Sequence, residues 1–378
     1  MADRVDVIVA GAGPAGCAAA IVARRAGASV TLVEPSARGR PLFGESLPPE
    51  TGLLLRQLGA WDAFQDLAPA RCAGSASAWG SDSLGFNDAF FSPHGMGWHV
   101  ERRAFDAMLL RVAADAGVTI ERGRVAVIGR GRTIVRRRQG GATEVDAAVI
   151  IDATGGGARL ARAFGAERLV VDRLVCVGRL VPLNDMATLT DMTLLEAVEY
   201  GWWYAAKLGP AHALVVIASD LDLIQERRLN EPDGWREHLS RTRHVAGAVG
   251  RLAAARGSLT IRAAASARLT TTSTDNWAAI GDAAATFDPL MSQGVFKALA
   301  DGTLAGRGAA ARLGGASDPF GPLDAAVRRR WNEYEHARGS FYASEPRWAA
   351  APFWQRRSGG GPRRQMMMPS IEAEERYP

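Results

Sequence analysis

A chain of 378 residues with 47% hydrophobic and 22% charged residues is that of an ordinary globular protein, long enough for two intertwined lobes. The net charge of +5 comes from scattered arginines. Runs such as Arg136-Arg137-Arg138 and Arg328-Arg329-Arg330 therefore read as solvated faces, which argues against a nucleic-acid track. Three cysteines, Cys17, Cys72 and Cys176, form no CxxC pair and leave one over, so a reducing cytoplasm and no structural metal are expected.

Val5 to Ala10 is a short apolar run of the kind that forms a buried parallel strand. Gly11-Ala12-Gly13-Pro14-Ala15-Gly16 follows, then an alanine-rich helix to Gly27, then the run Ser29 to Glu34. Glycines at Gly11, Gly13 and Gly16 turn the chain tightly and let a pyrophosphate approach the backbone. Pro14 costs nothing in the first turn of a helix, where its missing N–H has no partner anyway. That helix offers Ala15 and Gly16 amides and a partial positive charge to phosphate. Glu34 ends the second strand at the spacing suited to an adenosine ribose. Strand, loop, helix, strand and terminal acid in this order predict a dinucleotide site. A membrane span is not expected, because the uncharged stretch Val7 to Ala23 is interrupted by glycines and a proline and is preceded by Asp3 and Asp6.

Loop residues Ser36 to Pro41 lead to Gly44-Glu45-Ser46 and a helix near Pro49 with Leu53, Leu54, Leu55 and Leu58. Taken alone, this segment also fits a plain helix cap with Glu45 solvated. One or two strands are expected between Cys72 and Phe90, and a short one at Gly97-Trp98-His99-Val100 running into Arg102 and a helix with Phe105, Met108, Leu109 and Val112 on one face. The segments from Val118 to Val145 read as a meander, with glycine turns at Gly131 and Gly140-Gly141. Val149 to Gly155 returns to a buried strand ending in a turn. Gly155-Gly156-Gly157 is no second nucleotide site, since no strand with a terminal acid follows at the needed spacing.

From Leu169 to Ser219 short apolar runs predict an antiparallel sheet, followed by helical chain from Leu221 to about Ala255. Alternation along Trp202-Trp203-Tyr204 puts Trp202 and Tyr204 on one face and Trp203 on the other. Gly281-Asp282 and Asp288-Pro289-Leu290-Met291-Ser292-Gln293-Gly294 precede a long helical region from about Phe296. The stretch from Ser358 to Pro378 is poor in core-forming residues and reads as a flexible tail.

The N-terminal G-x-G-x-x-G, the central Asp152-Ala153-Thr154-Gly155 and the late Gly281-Asp282 with Asp288-Pro289-Leu290 … Gly294 together resemble the flavoprotein monooxygenases of the p-hydroxybenzoate hydroxylase type, whose plan flavin-dependent halogenases share. Gly44-Glu45-Ser46 resembles the halogenase branch. Ser77-Ala78-Trp79-Gly80, Gly201-Trp202-Trp203-Tyr204 and Phe341-Tyr342 … Arg347-Trp348 … Phe353-Trp354 resemble the flavoproteins that mature tryptophan-derived quinone cofactors.

The resemblance implies an α/β fold with a glutathione-reductase-type FAD domain (1–70, 98–168 and 259–315), an antiparallel-sheet substrate domain (71–97 and 169–258), C-terminal helices (316–357) and a tail (358–378). It implies FAD as cofactor, with Asp282 on the ribityl or pyrophosphate side, or else a simple helix cap. Ser292-Gln293-Gly294 would open a helix aimed at the flavin, and Pro289 would stiffen that turn. Arg102 would contact FAD, or else lie on the surface as an ordinary arginine. Trp202, Tyr204, Trp79 and His99 are the catalytic candidates, although each also fits a core position. The implied reaction is hydroxylation of an aromatic, indole-type ring through a C4a-hydroperoxyflavin, in a small molecule or in a tryptophan-containing partner protein. Electrons would come from NAD(P)H bound transiently or from a separate flavin reductase. Halogenases of this plan need a pocket lysine. This chain has only Lys207 and Lys297, neither at the matching position, so halogenation is not expected. A non-catalytic flavin-binding assembly factor and a reductase of isoprenoid double bonds are the other readings.

Overall fold

The computed structural model describes residues 3–35, 43–88, 93–129, 132–137, 141–250, 258–358 and 366–367. The loop expected at 36–41, the glycine turns near 131 and 140, the end of the helical stretch at 251–255 and most of the expected tail lie outside them. The first strand, Asp3–Ala10, runs parallel between Val30–Glu34 and Ala142–Asp152, and Trp277–Ala279 extends the sheet beyond Ala142–Asp152. Each pair is joined by a crossover, and Val7, Ile8 and Val9 are wholly buried as a strand covered on both faces requires. Thr119–Gly129 continues the sheet parallel to the second strand, then turns back through Arg132–Arg137 as the expected meander.

The helices Pro14–Arg25 and Gly294–Leu313 pack closely because the second presents glycines to the first. A Cβ on Gly302 would lie 2.3 Å from Ala15 O, and one on Gly306 would lie 2.7 Å from Ala19 O. Substitution there would force the two apart, and with them the two loops at their N-termini. Asp301, buried on the second helix, accepts from the Gly281 amide at 3.1 Å and pairs with Arg330, tying the late loop to the C-terminal helices.

A seven-stranded sheet forms the second layer, in the order Thr260–Ala263, Leu174–Pro182, His212–Asp220, Gly201–Lys207, Thr193–Val198, Gly74–Ala78, Gly85–Asp88. All its pairings are antiparallel except Thr193–Val198 with Gly74–Ala78. Two details differ from the sequence expectation. Thr260–Ala263, expected within the FAD domain, belongs to this sheet. Ala70–Cys72 instead joins Gly97–His99 and Ser46–Leu47 in a three-stranded patch. Local sequence carries no signal for such pairings, since both segments are short and only their distant partners assign them. The helices Leu221–Glu226, Pro232–Ser240 and Val245–Val249 cover the outer face, where Trp235 meets Trp203 at 5.3 Å between ring centres.

The C-terminal helices Gly321–Ala343 and Pro352–Ser358 bind both layers. Arg357, buried, donates to both carboxylate oxygens of Asp220 at 2.6 and 3.0 Å, and Arg356 adds a third bond at 2.8 Å. Within the expected tail, Met366–Met367 pairs with Leu169 and Val170 as a short strand.

Candidate active site

The first crossover is shaped by what a side chain would meet there. Gly11 has φ +108°, and a Cβ on it would sit 2.2 Å from Ala153 O; a Cβ on Gly16 would sit 1.8 Å from Gly11 O. These two glycines are therefore required by the protein's own packing, which locks the Gly11–Gly16 turn against the Asp152–Gly155 turn. Gly13 differs: its missing Cβ faces open space. Pro14 opens the helix Pro14–Arg25, Ala15 is buried, and no side chain caps the N-terminus. A bare helix end with an open face is the chemistry that accepts a pyrophosphate. Glu34 ends its strand, 7% exposed.

Asp152 holds the opposing turn, a role the sequence reading left unassigned. Its carboxylate accepts from the amides of Thr154, Leu160 and Ala161 at 2.9, 2.9 and 2.8 Å. Gly155 follows with φ +73° and nothing near its missing Cβ.

A cavity of about 320 Å³ lies between the two layers. One wall carries Gly44, Glu45, Ser46 and Arg102; another carries Asp282, Pro289, Ser292 and Gly294; Trp202 and Tyr204 form the substrate-sheet wall. Ten of the residues expected from sequence thus converge from segments far apart in the chain. Asp282 is half-exposed and is held by the buried Lys297 ammonium at 3.3 Å. Gly281 supports it from below through Asp301. Ser292 is left-handed at φ +53°, and the helix Gly294–Leu313 that follows has neither a side-chain cap nor an acid in its first turn. Gln293, the residue before that helix, is exposed and does not line the cavity. The 20-residue helix therefore aims uncompensated N–H groups at the cavity edge, where negative charge gains roughly 0.3–1 kcal/mol or more.

Arg102 does more for the protein than for a ligand. Its guanidinium donates to Phe43 O and Gly44 O at 2.9 and 3.3 Å and pairs with Asp106 at 3.2 Å, clamping the Gly44–Ser46 loop. Glu45 is 3% exposed, and its carboxylate accepts from the Gly44 amide at 3.0 Å. Burial, only partly offset by those amides and by Arg102, pushes it up to about 7. The solvated-loop reading of Glu45 is thereby corrected.

Strand alternation places Trp202 and Tyr204 on the cavity and Trp203 on the outer core, as the spacing predicts. Tyr204 Oη and Ser46 Oγ are 2.9 Å apart, and Trp202 Nε1 donates to Tyr342 Oη at 3.1 Å. Two catalytic candidates lie away from the cavity. His99 does not line the cavity; it is buried, its Nε2 lies 2.9 Å from Thr193 Oγ1, and burial lowers it to about 4. Trp79 also lies off the cavity, donating to Phe341 O at 2.8 Å and packing edge-on against Trp354. His99 is thus a core imidazole, and Trp79 is a partly buried ring packed against the second core.

Sequence reasoning missed Cys176, Arg262, Phe287 and Asp288 in the cavity wall. The Asp288-Pro289 pair was visible, but Asp288's role was not. Its Oδ1 accepts from the Leu290 amide at 2.8 Å and its Oδ2 from Tyr342 Oη at 2.5 Å. Cys176 stays protonated, burial holding its thiol well above the usual range. Neither lysine reaches the cavity: Lys207 pairs with Asp191 at 3.5 Å, and Lys297 is spent on Asp282 and Ala285 O.

The residues present fit FAD: an open Gly13 face at one uncapped helix, a second uncapped helix at the cavity, and a half-exposed Asp282 between them. No described helix is long and apolar enough to cross a membrane.

Comparisons with known proteins agree. The family model described as FAD binding domain matches residues 4–333. The putative FAD-dependent oxidoreductase LodB of Marinomonas mediterranea is 30% identical over 363 residues, covering 94% of this chain and 97% of that protein. Among solved structures, the myxobacterial chondrochloren halogenase CndH superposes with a TM-score of 0.83 at 25% identity, covering 94% of this chain and 86% of that one. The peptidyl tryptophan dihydroxylase QhpG shares the fold with a TM-score of 0.72 at 23% identity, over 94% of this chain and 79% of that one. The chain belongs to the FAD binding domain family and is an FAD-dependent oxidoreductase of the monooxygenase and halogenase superfamily.

Proposed function

We propose that the protein hydroxylates an electron-rich aromatic ring of the indole class, carried either by a small molecule or by a tryptophan of a partner protein. The observation that carries this reading is the cavity wall of Trp202 and Tyr204 facing an uncapped helix N-terminus, with no lysine on any side. Likeness in fold to a dihydroxylase of peptidyl tryptophan supports the substrate class.

Gly13 and the Pro14–Arg25 helix would hold the pyrophosphate, Glu34 the adenosine ribose, and Asp282 the ribityl side. When bound, FAD supplies oxygen activation after reduction, and the electrons come from NAD(P)H or from a separate reductase. The chain's own share is orientation and dryness. Trp202 and Tyr204 present flat faces that stack a planar ring and exclude water. The helix Gly294–Leu313 favours negative charge where the cofactor ring lies. Ser46 fixes the Tyr204 hydroxyl, so a polar edge of the substrate meets one oriented partner rather than a rotor. Glu45, balanced near neutrality, can hold or release a proton at its carboxylate beside the Gly44–Ser46 loop.

The close superposition on a halogenase favours a second reading, halogenation, and the positions of the two lysines oppose it. Mass spectrometry separates the two. Tryptophan-containing peptides and indoles are incubated with protein, FAD, reductant, heavy-isotope oxygen gas and bromide. Incorporation of labelled oxygen supports hydroxylation, and incorporation of bromine with no labelled oxygen refutes it.

A further inference from the structure

Three aromatic motifs far apart in the sequence meet in one cluster, of which the proposed hydroxylation uses only Trp202. Trp202, in the cavity wall, donates to Tyr342 Oη at 3.1 Å. Tyr342 lies 5.9 Å from Trp354 and 6.0 Å from Trp79, ring centre to ring centre, and Trp79 and Trp354 are 5.3 Å apart. Trp354 stacks on Trp348 at 6.2 Å, and Trp348 is only partly buried, with Arg347 over its ring at 4.3 Å. Such spacings are within ordinary aromatic packing. What packing does not require is an unbroken line of oxidisable rings from cavity to surface, with a carboxylate on the phenol in its middle.

The geometry points to an exit route for oxidising equivalents, running Trp202 to Tyr342 to Trp354 to Trp348, with Asp288 as the proton partner of Tyr342. It rests on the FAD assignment but not on the identity of the substrate. A one-electron oxidant derived from oxygen in the cavity takes an electron from Trp202. Tyr342 returns that electron and passes its phenolic proton along the 2.5 Å bond to Asp288 Oδ2, becoming a neutral radical. Trp354 then reduces Tyr342, which recovers its proton from Asp288. Trp348 reduces Trp354, loses its indole proton to water, and is restored at the surface by a hydrogen atom from a soluble thiol.

Two guanidiniums favour the proton step. Arg338 and Arg357 lie 5.0 and 5.3 Å from the Tyr342 ring centre and oppose positive charge on it. Oxidation there therefore favours loss of the phenolic proton, whose hydrogen bond Asp288 already accepts. Burial raises the Asp288 pKa, which favours the protonated carboxyl during the transfer. Asp172, which pairs with Arg338 at 2.8 Å, and Asp220, which pairs with Arg357 at 2.6 Å, are the other acids of this group.

The test uses the FAD-loaded protein and photoexcited FAD as oxidant, without substrate or oxygen, followed by transient absorption. A tryptophan radical that outlives direct recombination is expected. Trp354→Phe and Trp348→Phe keep an aromatic ring in place and should each shorten that lifetime several-fold. Tyr342→Phe should do the same and abolish the solvent deuterium effect on the decay. A decay unchanged in all three variants, or a native protein that binds FAD yet separates no charge, overturns the route. Failure to bind FAD at all instead refutes the cofactor assignment. A second readout guards against altered packing: during turnover with reductant and oxygen, peptide mapping should find oxidised Trp202 accumulating faster in Tyr342→Phe than in the native chain. Equal accumulation counts against the route.

Discussion

Glu45 gives the sharpest quantitative prediction. Its carboxyl is buried in the cavity wall and is pushed from an ordinary value of 4.5 to about 7. At 1.36 kcal/mol per tenfold change, that difference amounts to about 3 kcal/mol. The sign follows from linkage. Below pH 4.5 the group is protonated in both folded and unfolded chains and contributes nothing to the pH dependence. Between 4.5 and 7 the unfolded chain ionises first, so stability falls, and above 7 the full penalty of about 3 kcal/mol persists. Glu45→Gln keeps an amide oxygen for the Gly44 N–H and removes the charge. Urea unfolding of the FAD-free protein should therefore show the variant gaining on the native chain as pH rises from 5 to 8, by up to about 3 kcal/mol. Parallel stability curves for the two proteins over that range would show that Glu45 is solvated, and would remove it as a group able to exchange a proton near neutrality.

Further outcomes concern the cofactor and the core. Asp282→Ala should lose yellow colour on purification, with FAD affinity weakened roughly tenfold to a hundredfold, as for a lost charged hydrogen bond; full flavin occupancy would contradict the assigned site. Gly13→Ala adds a Cβ in open space, so it should unfold near the native midpoint yet fail to take up FAD in a fluorescence titration. Gly16→Ala, facing a backbone oxygen at 1.8 Å, should lose stability as well, and the contrast between the two checks which glycine serves the ligand. His99 is held near 4 by burial, so nitrogen-labelled NMR should show a neutral ring throughout pH 5 to 8. Its folded-state penalty appears only as pH falls through 6.5 towards 4, and His99→Gln should flatten acid unfolding in that window.

Much of the candidate cofactor site was legible because it is made of local signals. Gly11 to Gly16, Asp152 to Gly155 and Gly281 to Gly294 each announce a turn by glycine and proline, and strand, loop and helix order by itself demands that such turns share one edge of a parallel sheet. Strand alternation likewise sorted Trp202 and Tyr204 from Trp203, since a period of two needs no knowledge of the partner strand. Which rings reach the cavity was decided only in three dimensions. Trp79 and His99 sit within the right segments, yet long-range pairing of Gly74–Ala78 and Gly97–His99 carried both away from the cavity, His99 into the core and Trp79 to its edge. Asp288 and Tyr342 are 54 positions apart, and their bond exists only because a C-terminal helix lies back across both layers. A carboxylate's charge state, as at Glu45, also depends on how much water the surrounding fold removes. Sequence spacing records the turn that carries the residue, and the packing around it sets its chemistry.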